Sequence, residues 1–115
     1  MPTRKTPPQN TAAVFGYLVR CARQMRTVTY QEVAAAVGTH WRTLGPPLGH
    51  IRDKICTKLE LPWLNALVVN GKTRRPGHNF LPTHIRITNP HIKERLWRGT
   101  VLQVFAYDWS KVRSP

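Results

Sequence analysis

Apolar residues recur at steps of three and four from Val14 to Met25. Val14, Phe15, Leu18, Val19, Ala22 and Met25 share one side of a helical wheel, while Arg20, Arg23 and Arg26 fall toward another. The spacing predicts an amphipathic first helix capped by Asn10 or Thr11. A β-branched link, Thr27-Val28-Thr29, follows. Thr29 stands three residues before Glu32, the spacing of a capping box, so a second helix is expected over Tyr30–Val37 with Gly38 as its stop. Thr39 to Gly45 reads as a turn or a single helical turn. Pro46-Pro47 suit the opening positions of a third helix, Leu48 to about Leu59, with Leu48, Ile51, Ile55 and Leu59 as its core stripe. Helix, glycine stop, short turn, helix is the order of a helix-turn-helix.

Beyond Pro62 the pattern changes. Leu64, Ala66, Leu67, Val68 and Val69 predict a strand, and Asn70-Gly71 is a hairpin signal. The tip from Gly71 to Gly77 carries Lys72, Arg74 and Arg75 between glycines. A second short strand is expected within residues 84–88. Asn89-Pro90 then starts a last helix through Ile92, Leu96 and Trp97 toward Phe105, and Tyr107-Asp108-Trp109 packs back on the body. The expected fold class is α+β: a mainly helical winged helix-turn-helix with a small β-hairpin wing. Residues 1–9, with three prolines and two cations, read as a flexible basic arm, and residues 10–115 as a single domain.

Charge supplies the functional direction. Eighteen Lys and Arg oppose five Asp and Glu in 115 residues, a formal charge of +13. A folded domain that tolerates so much self-repulsion usually has a polyanionic partner, here nucleic acid. No apolar run approaches the roughly 20 residues of a membrane span. The basic N-terminus is followed by no apolar stretch or cleavage site, so a cytoplasmic protein is expected, nucleoid-associated in a bacterial host. Cys21 and Cys56 both fall in helical pattern and read as buried free thiols.

From Phe15 to about Gly77 the chain resembles the DNA-binding domain of alkylguanine-DNA alkyltransferases and their non-enzymatic alkyltransferase-like relatives. Val28-Thr29-Tyr30-Gln31-Glu32-Val33-Ala34-Ala35-Ala36-Val37-Gly38 matches the family's T-Y-G/Q-x-[LIV]-A-x-x-x-G, and Trp41-Arg42-Thr43-Leu44-Gly45 its R-A-V-G. Leu61 to Val69 fits the L-P-I-L-[IV]-P-C-H-R-V-V piece loosely. The resemblance implies that Tyr30 crowds a phosphate and that Arg42 fills the gap left by a flipped nucleotide; aligning Leu48-Gly49 with V-G puts Pro46 there instead. The family's P-C-H-R is absent, so alkyl transfer is not expected. One alignment puts Trp63 at the cysteine position, as in alkyltransferase-like proteins, and another puts Leu67 there.

The candidate nucleic-acid-binding residues are therefore Tyr30 and Gln31, then His40, Trp41 and Arg42 in the turn, with Trp41 alternatively a core anchor. His50, Arg52, Lys54 and Lys58 join them on the polar face of the third helix, and Lys72, Arg74 and Arg75 in the wing. The expected function is non-enzymatic binding of double-stranded DNA (RNA possible), with sensing of a modified or flipped base as its sharper form. No cofactor, metal or catalytic residue is implied. Two alternatives stay open. One is a small basic nuclease or toxin, using His50 and His84 as acid and base or a histidine centre of His78, His84 and His91. The other is a module that recruits a protein partner through Trp97, Tyr107 and Trp109.

Overall fold

The first helix, α1, spans Thr11–Arg23 and is the element around which the others pack. The computed structural model describes residues 8–77, 80–82 and 85–112. Val14, Phe15, Leu18, Cys21 and Ala22 form the buried stripe of α1, and each large member of such a stripe contributes roughly 1.5–3 kcal/mol on burial. Asn10 occupies the cap position in a left-handed conformation without a side-chain bond, so the expected side-chain cap is absent. Thr11 instead ties the chain back, its Oγ1 donating to the Pro8 carbonyl at 2.6 Å. Of the predicted arm over residues 1–9, residues 1–7 lie outside the described residues.

The apolar stripe ends one turn earlier than its spacing predicts, because Met25 is 67% exposed. The Arg26 N–H reaches the Cys21 carbonyl and the Met25 N–H the Ala22 carbonyl, closing the helix with Met25 in the left-handed region.

 That angle, 55° at Met25, is one that glycine adopts freely and a side chain resists.

Strand β1, Val28–Thr29, leads directly into α2, Tyr30–Val37. The predicted capping box forms in full: the Glu32 N–H donates to Thr29 Oγ1 at 3.1 Å and the Thr29 N–H to Glu32 Oε1 at 3.0 Å. Gly38 closes the helix at φ 74, as its position predicts. A single 3₁₀ turn, Trp41–Thr43, leads to α3 at Gly45–His50, which runs on through a wider π-helical stretch, Ile51–Cys56. Thr57 supports that wider turn, since both its N–H (3.0 Å) and its hydroxyl (2.7 Å) donate to the Arg52 carbonyl. The Trp63 indole N–H donates in turn to the Thr57 hydroxyl at 3.0 Å.

The predicted strand over residues 64–69 is mostly something else. Leu64–Leu67 is a buried 3₁₀ turn, and only Val68–Val69 is extended, as β2. The segment is buried between α1 and α4, with the Asn65 side-chain amide donating to the Phe80 carbonyl at 3.0 Å, so it has no need of a flat sheet. β2 pairs in parallel with β1, Val28 opposite Val68 and Thr29 opposite Val69. Among the described residues 85–88 no second strand forms; residue 84 lies outside them. The last helix, α4, spans Pro90–Ala106 with Asn89 Oδ1 accepting from the His91 and Ile92 N–H groups, as predicted. Trp109 folds back into the core, 3% exposed, its indole N–H on the Val104 carbonyl at 2.7 Å. The result is a mostly helical α+β domain.

Replacing Thr29 by alanine removes the cap and should cost about 1 kcal/mol in urea unfolding. An unchanged midpoint would mean that the box contributes nothing to α2.

Candidate nucleic-acid interface

The parallel pairing of β1 and β2 carries the chain from Val69 into a closed turn beside the first residues of α2. The Asn70 N–H donates to the Arg75 carbonyl and the Arg74 N–H to the Asn70 carbonyl, both at 2.8 Å. Asn70 Oδ1 accepts from the N–H groups of Lys72 (2.9 Å) and Thr73 (3.3 Å), and Val69 bridges Pro76 in antiparallel fashion. The Asn-Gly signal thus makes a hairpin turn with one bridge in place of a full return strand. Lys72, Arg74 and Arg75 are all exposed on it. Arg75 is held back against α4 by Glu94 at 3.2 Å. A Cβ placed on Gly71 would touch Thr29 Cγ2 at 3.7 Å and Gln31 Oε1 at 3.8 Å, so the tip lies against the start of α2, where Gln31 is exposed. The Thr29 N–H, above all, holds the Glu32 carboxyl below its ordinary value, with Arg26 and Arg74 adding to the effect.

Tyr30 points its hydroxyl into the base of this hairpin, where the Gly77 backbone hydrogen-bonds to it. Burial raises the Tyr30 phenol above its ordinary value, and the Gly77 bond offsets this only in part. A Cβ at Gly77 would collide with the Tyr30 hydroxyl. The hydroxyl therefore holds the hairpin to α2 in this structure.

The turn after α2 forms a second exposed group. His40 Nδ1 accepts from the Arg42 N–H at 3.1 Å, and the Thr43 hydroxyl donates to the His40 carbonyl at 2.7 Å. The His40 and Trp41 rings stack at 5.7 Å, and the Arg42 guanidinium lies 5.3 Å from the Trp41 ring centre. Trp41 is 43% exposed, so it is not a core anchor. Along α3, its π-helical continuation and the turn that follows, Pro46, Lys54 and Lys58 are exposed and His50 is half-buried.

Arg52 departs from that face. It is 6% exposed, with its Nε and Nη2 on the Asp53 carboxylate at 2.7 Å each and Nη1 on the Leu81 carbonyl at 3.2 Å. It lies four residues after Leu48 and three after Gly49, on their side of the helix, and that spacing was a readable sign of its burial. Arg86, Lys93 and Arg98, outside the sequence-derived set, also border the hairpin and α3. Ordering by helical row alone missed them, because the loop and helix that carry them are brought in by tertiary packing.

Cys21 and Cys56 are buried and free, as expected. Burial pushes the Cys56 thiol up to about 11, offset in part by a backbone hydrogen bond from Leu64. Trp63, one candidate for the family's cysteine position, is half-buried with its ring edge on Phe80 at 6.0 Å, and Leu67, the other, is fully buried. His91 is exposed near the start of α4, while His78 and His84 lie outside the described residues. Among the described residues no cluster of His, Cys, Asp or Glu could hold a metal ion, and no helix is long and apolar enough to cross a membrane. Of the terminal aromatics, Trp109 is core, Trp97 is half-buried with its indole on the Ala66 carbonyl, and Tyr107 is 38% exposed.

No known protein family, curated protein or solved structure matches this chain. The likeness to alkyltransferases rests on the residues quoted for it.

Two consequences can be measured. Gly77→Ala should destabilise the protein by about 1–3 kcal/mol through the clash with Tyr30, and Tyr30→Phe in the same chain should recover part of that loss. Strictly additive losses would place the tyrosine elsewhere. The Cys56 thiol keeps its proton in the folded state above its ordinary value of 9.0. Its contribution is therefore complete below about pH 9 and is lost as pH rises toward 11, by about 2–3 kcal/mol. Chemical unfolding at pH 8 and 11 should show this extra loss in the parent protein and not in Cys56→Ala; equal losses would contradict it.

Proposed function

We propose that the protein binds double-stranded DNA without chemistry, as a winged helix-turn-helix domain. The observation that carries this reading is the distribution of charge over the folded surface. Apart from the buried Arg52 and half-buried Lys93, every described Lys and Arg is exposed. The acids pair with few of them: Glu32 reaches Arg26 at 3.9 Å and Glu94 reaches Arg75 and Arg98. Exposed pairs of this kind offset little of the repulsion. A polyanion would relieve it, and phosphate contacts release condensed counterions at the same time.

The hairpin is the wing in this reading. Lys72 and Arg74 extend from a turn whose backbone is already fixed by Asn70, so little conformational freedom is lost on binding. Gln31 lies beside its tip, and the exposed Ala35 and Ala36 on α2 present short side chains that let a sugar-phosphate backbone approach. The His40-Trp41-Arg42 stack, with the exposed Pro46, Lys54 and Lys58 and the half-buried His50, supplies the groove-facing part. Arg42 on Trp41 is a flat cationic group of the kind that can enter a base stack, which supports the sharper proposal of sensing a flipped or modified base. Tyr30 would have to give up Gly77 to crowd a phosphate, so its part in that proposal depends on movement of the hairpin base.

Neutralising about five to eight phosphates gives a log–log salt slope of roughly −5 to −7. Lys72→Ala with Arg74→Ala should lower its magnitude by about 2 and weaken binding to any sequence. Arg42→Ala should selectively weaken binding to a duplex carrying a modified base if the sharper reading holds. Binding insensitive to salt would refute the phosphate-contact picture, absence of binding would refute DNA binding, and degradation of the duplex would make the protein an enzyme.

A further inference from the structure

A cleft of about 490 Å³ opens between α3 and the segment that leads into α4. Gly45 and Gly49 line one wall, one helical turn apart, and Leu81, Pro82, Ile85 and Ile87 contribute the other. A Cβ on Gly45 would meet nothing within 4 Å, and one on Gly49 would meet only Arg52 Nη2 at 4.0 Å. The two glycines therefore leave a bare strip of helix backbone facing the cleft. Arg52 lies in it as a fixed element, clamped by Asp53 and by the Leu81 carbonyl. That clamp joins α3 to the opposite wall.

Arg86 and Lys93 complete the lining. Among the described residues neither has an acidic side chain within ion-pair distance, in contrast to Arg52 and Asp53 below them. Thr88 adds a hydroxyl to the same wall. Lys93 also borders a smaller hollow lined by Arg75, Pro76, Pro90, Glu94 and Trp97, so the cleft adjoins the foot of the hairpin. Two cations without acidic partners, a hydroxyl and a strip of backbone without side chains are the elements that hold a phosphate group: charge, a donor, and room for its oxygens to come close.

We infer that this cleft is a phosphate-binding site, in which Arg86, Lys93 and Thr88 hold a phosphate over the Gly45–Gly49 strip. Resting on the nucleic-acid reading, it assigns the cleft a backbone phosphate of the strand that the hairpin grips, reached past Lys93. Arg52 keeps the two walls together and is a positioning residue. The same chemistry would accept a free phosphate, and the experiment separates the two sources.

The full-length protein would be compared with Arg86→Ala/Lys93→Ala, with Gly49→Leu, which fills the cleft without changing charge, and with Lys72→Ala/Arg74→Ala. Affinity for a short random-sequence duplex would be read over a salt series, and melting temperature with and without inorganic phosphate at constant ionic strength. The cleft pair should reduce the magnitude of the salt slope by about 2 from the parent value, and Gly49→Leu should weaken duplex binding about tenfold or more with its melting temperature retained. Phosphate that stabilises the parent and neither cleft variant, with duplex binding unaffected by them, would assign the site to free phosphate and overturn the strand assignment. Cleft variants that behave as the parent in both assays, while the hairpin pair loses affinity, would overturn the cleft and leave DNA binding standing. A parent that binds no duplex would refute DNA binding, and the phosphate measurement would still decide the cleft.

Discussion

The pairing of Val28-Thr29 with Val68-Val69 is the contact on which the arrangement of this surface depends. Two residues from each strand are too few to be stable alone, so the pairing is held by what surrounds it. On one side Thr29 begins the capping box of α2, and on the other Asn70 begins the hairpin turn. Through that register a cationic turn and a helix start, far apart in sequence, become neighbours. Tyr30 and Gly77 then close the same junction from below.

The second constraint is repulsion. A formal charge of +13 on 115 residues must be held by apolar burial, and α1 supplies the centre of it. The exposed cations sit on the rim of that core: on the outer face of α1, in the turn after α2, on the hairpin and along α4. Arg52 is the exception that joins the two constraints. Its charge is taken inside, where Asp53 offsets it and the Leu81 carbonyl accepts from it, and it fastens the segment before α4 to α3. The Asp53 side chain is 41% exposed, but removing it would take the carboxylate from a buried guanidinium, which is costlier than losing a surface charge.

Helices were the legible part of the sequence. Thr29 with Glu32, Gly38, and Asn89 with Pro90 mark boundaries through backbone groups that must be satisfied, so local residues decide them. The stretch from Leu64 to Val69 was not legible in the same way. Its apolar run is compatible with a strand or a buried turn, and the choice was made by packing against α1 and α4. Met25 matched a helical stripe that had already ended, since Arg26 and Met25 close the helix by backbone bonds that periodicity does not report. Of the site, the hairpin cations and the exposed turn at His40-Trp41-Arg42 could be read from charge and turn residues. The burial of Arg52 was readable from Leu48 and Gly49, and the approach of Arg86 and Lys93 to α3 depended on a long-range fold.

The most direct test of the central claim is a map of backbone amide shifts in the full-length protein as duplex DNA is added. The account predicts changes concentrated at Lys72–Arg75, Gln31 and His40–Thr43, with the amides of α1 that face the core unmoved. Shifts absent at equimolar DNA and low salt, or centred on the opposite face, would contradict it.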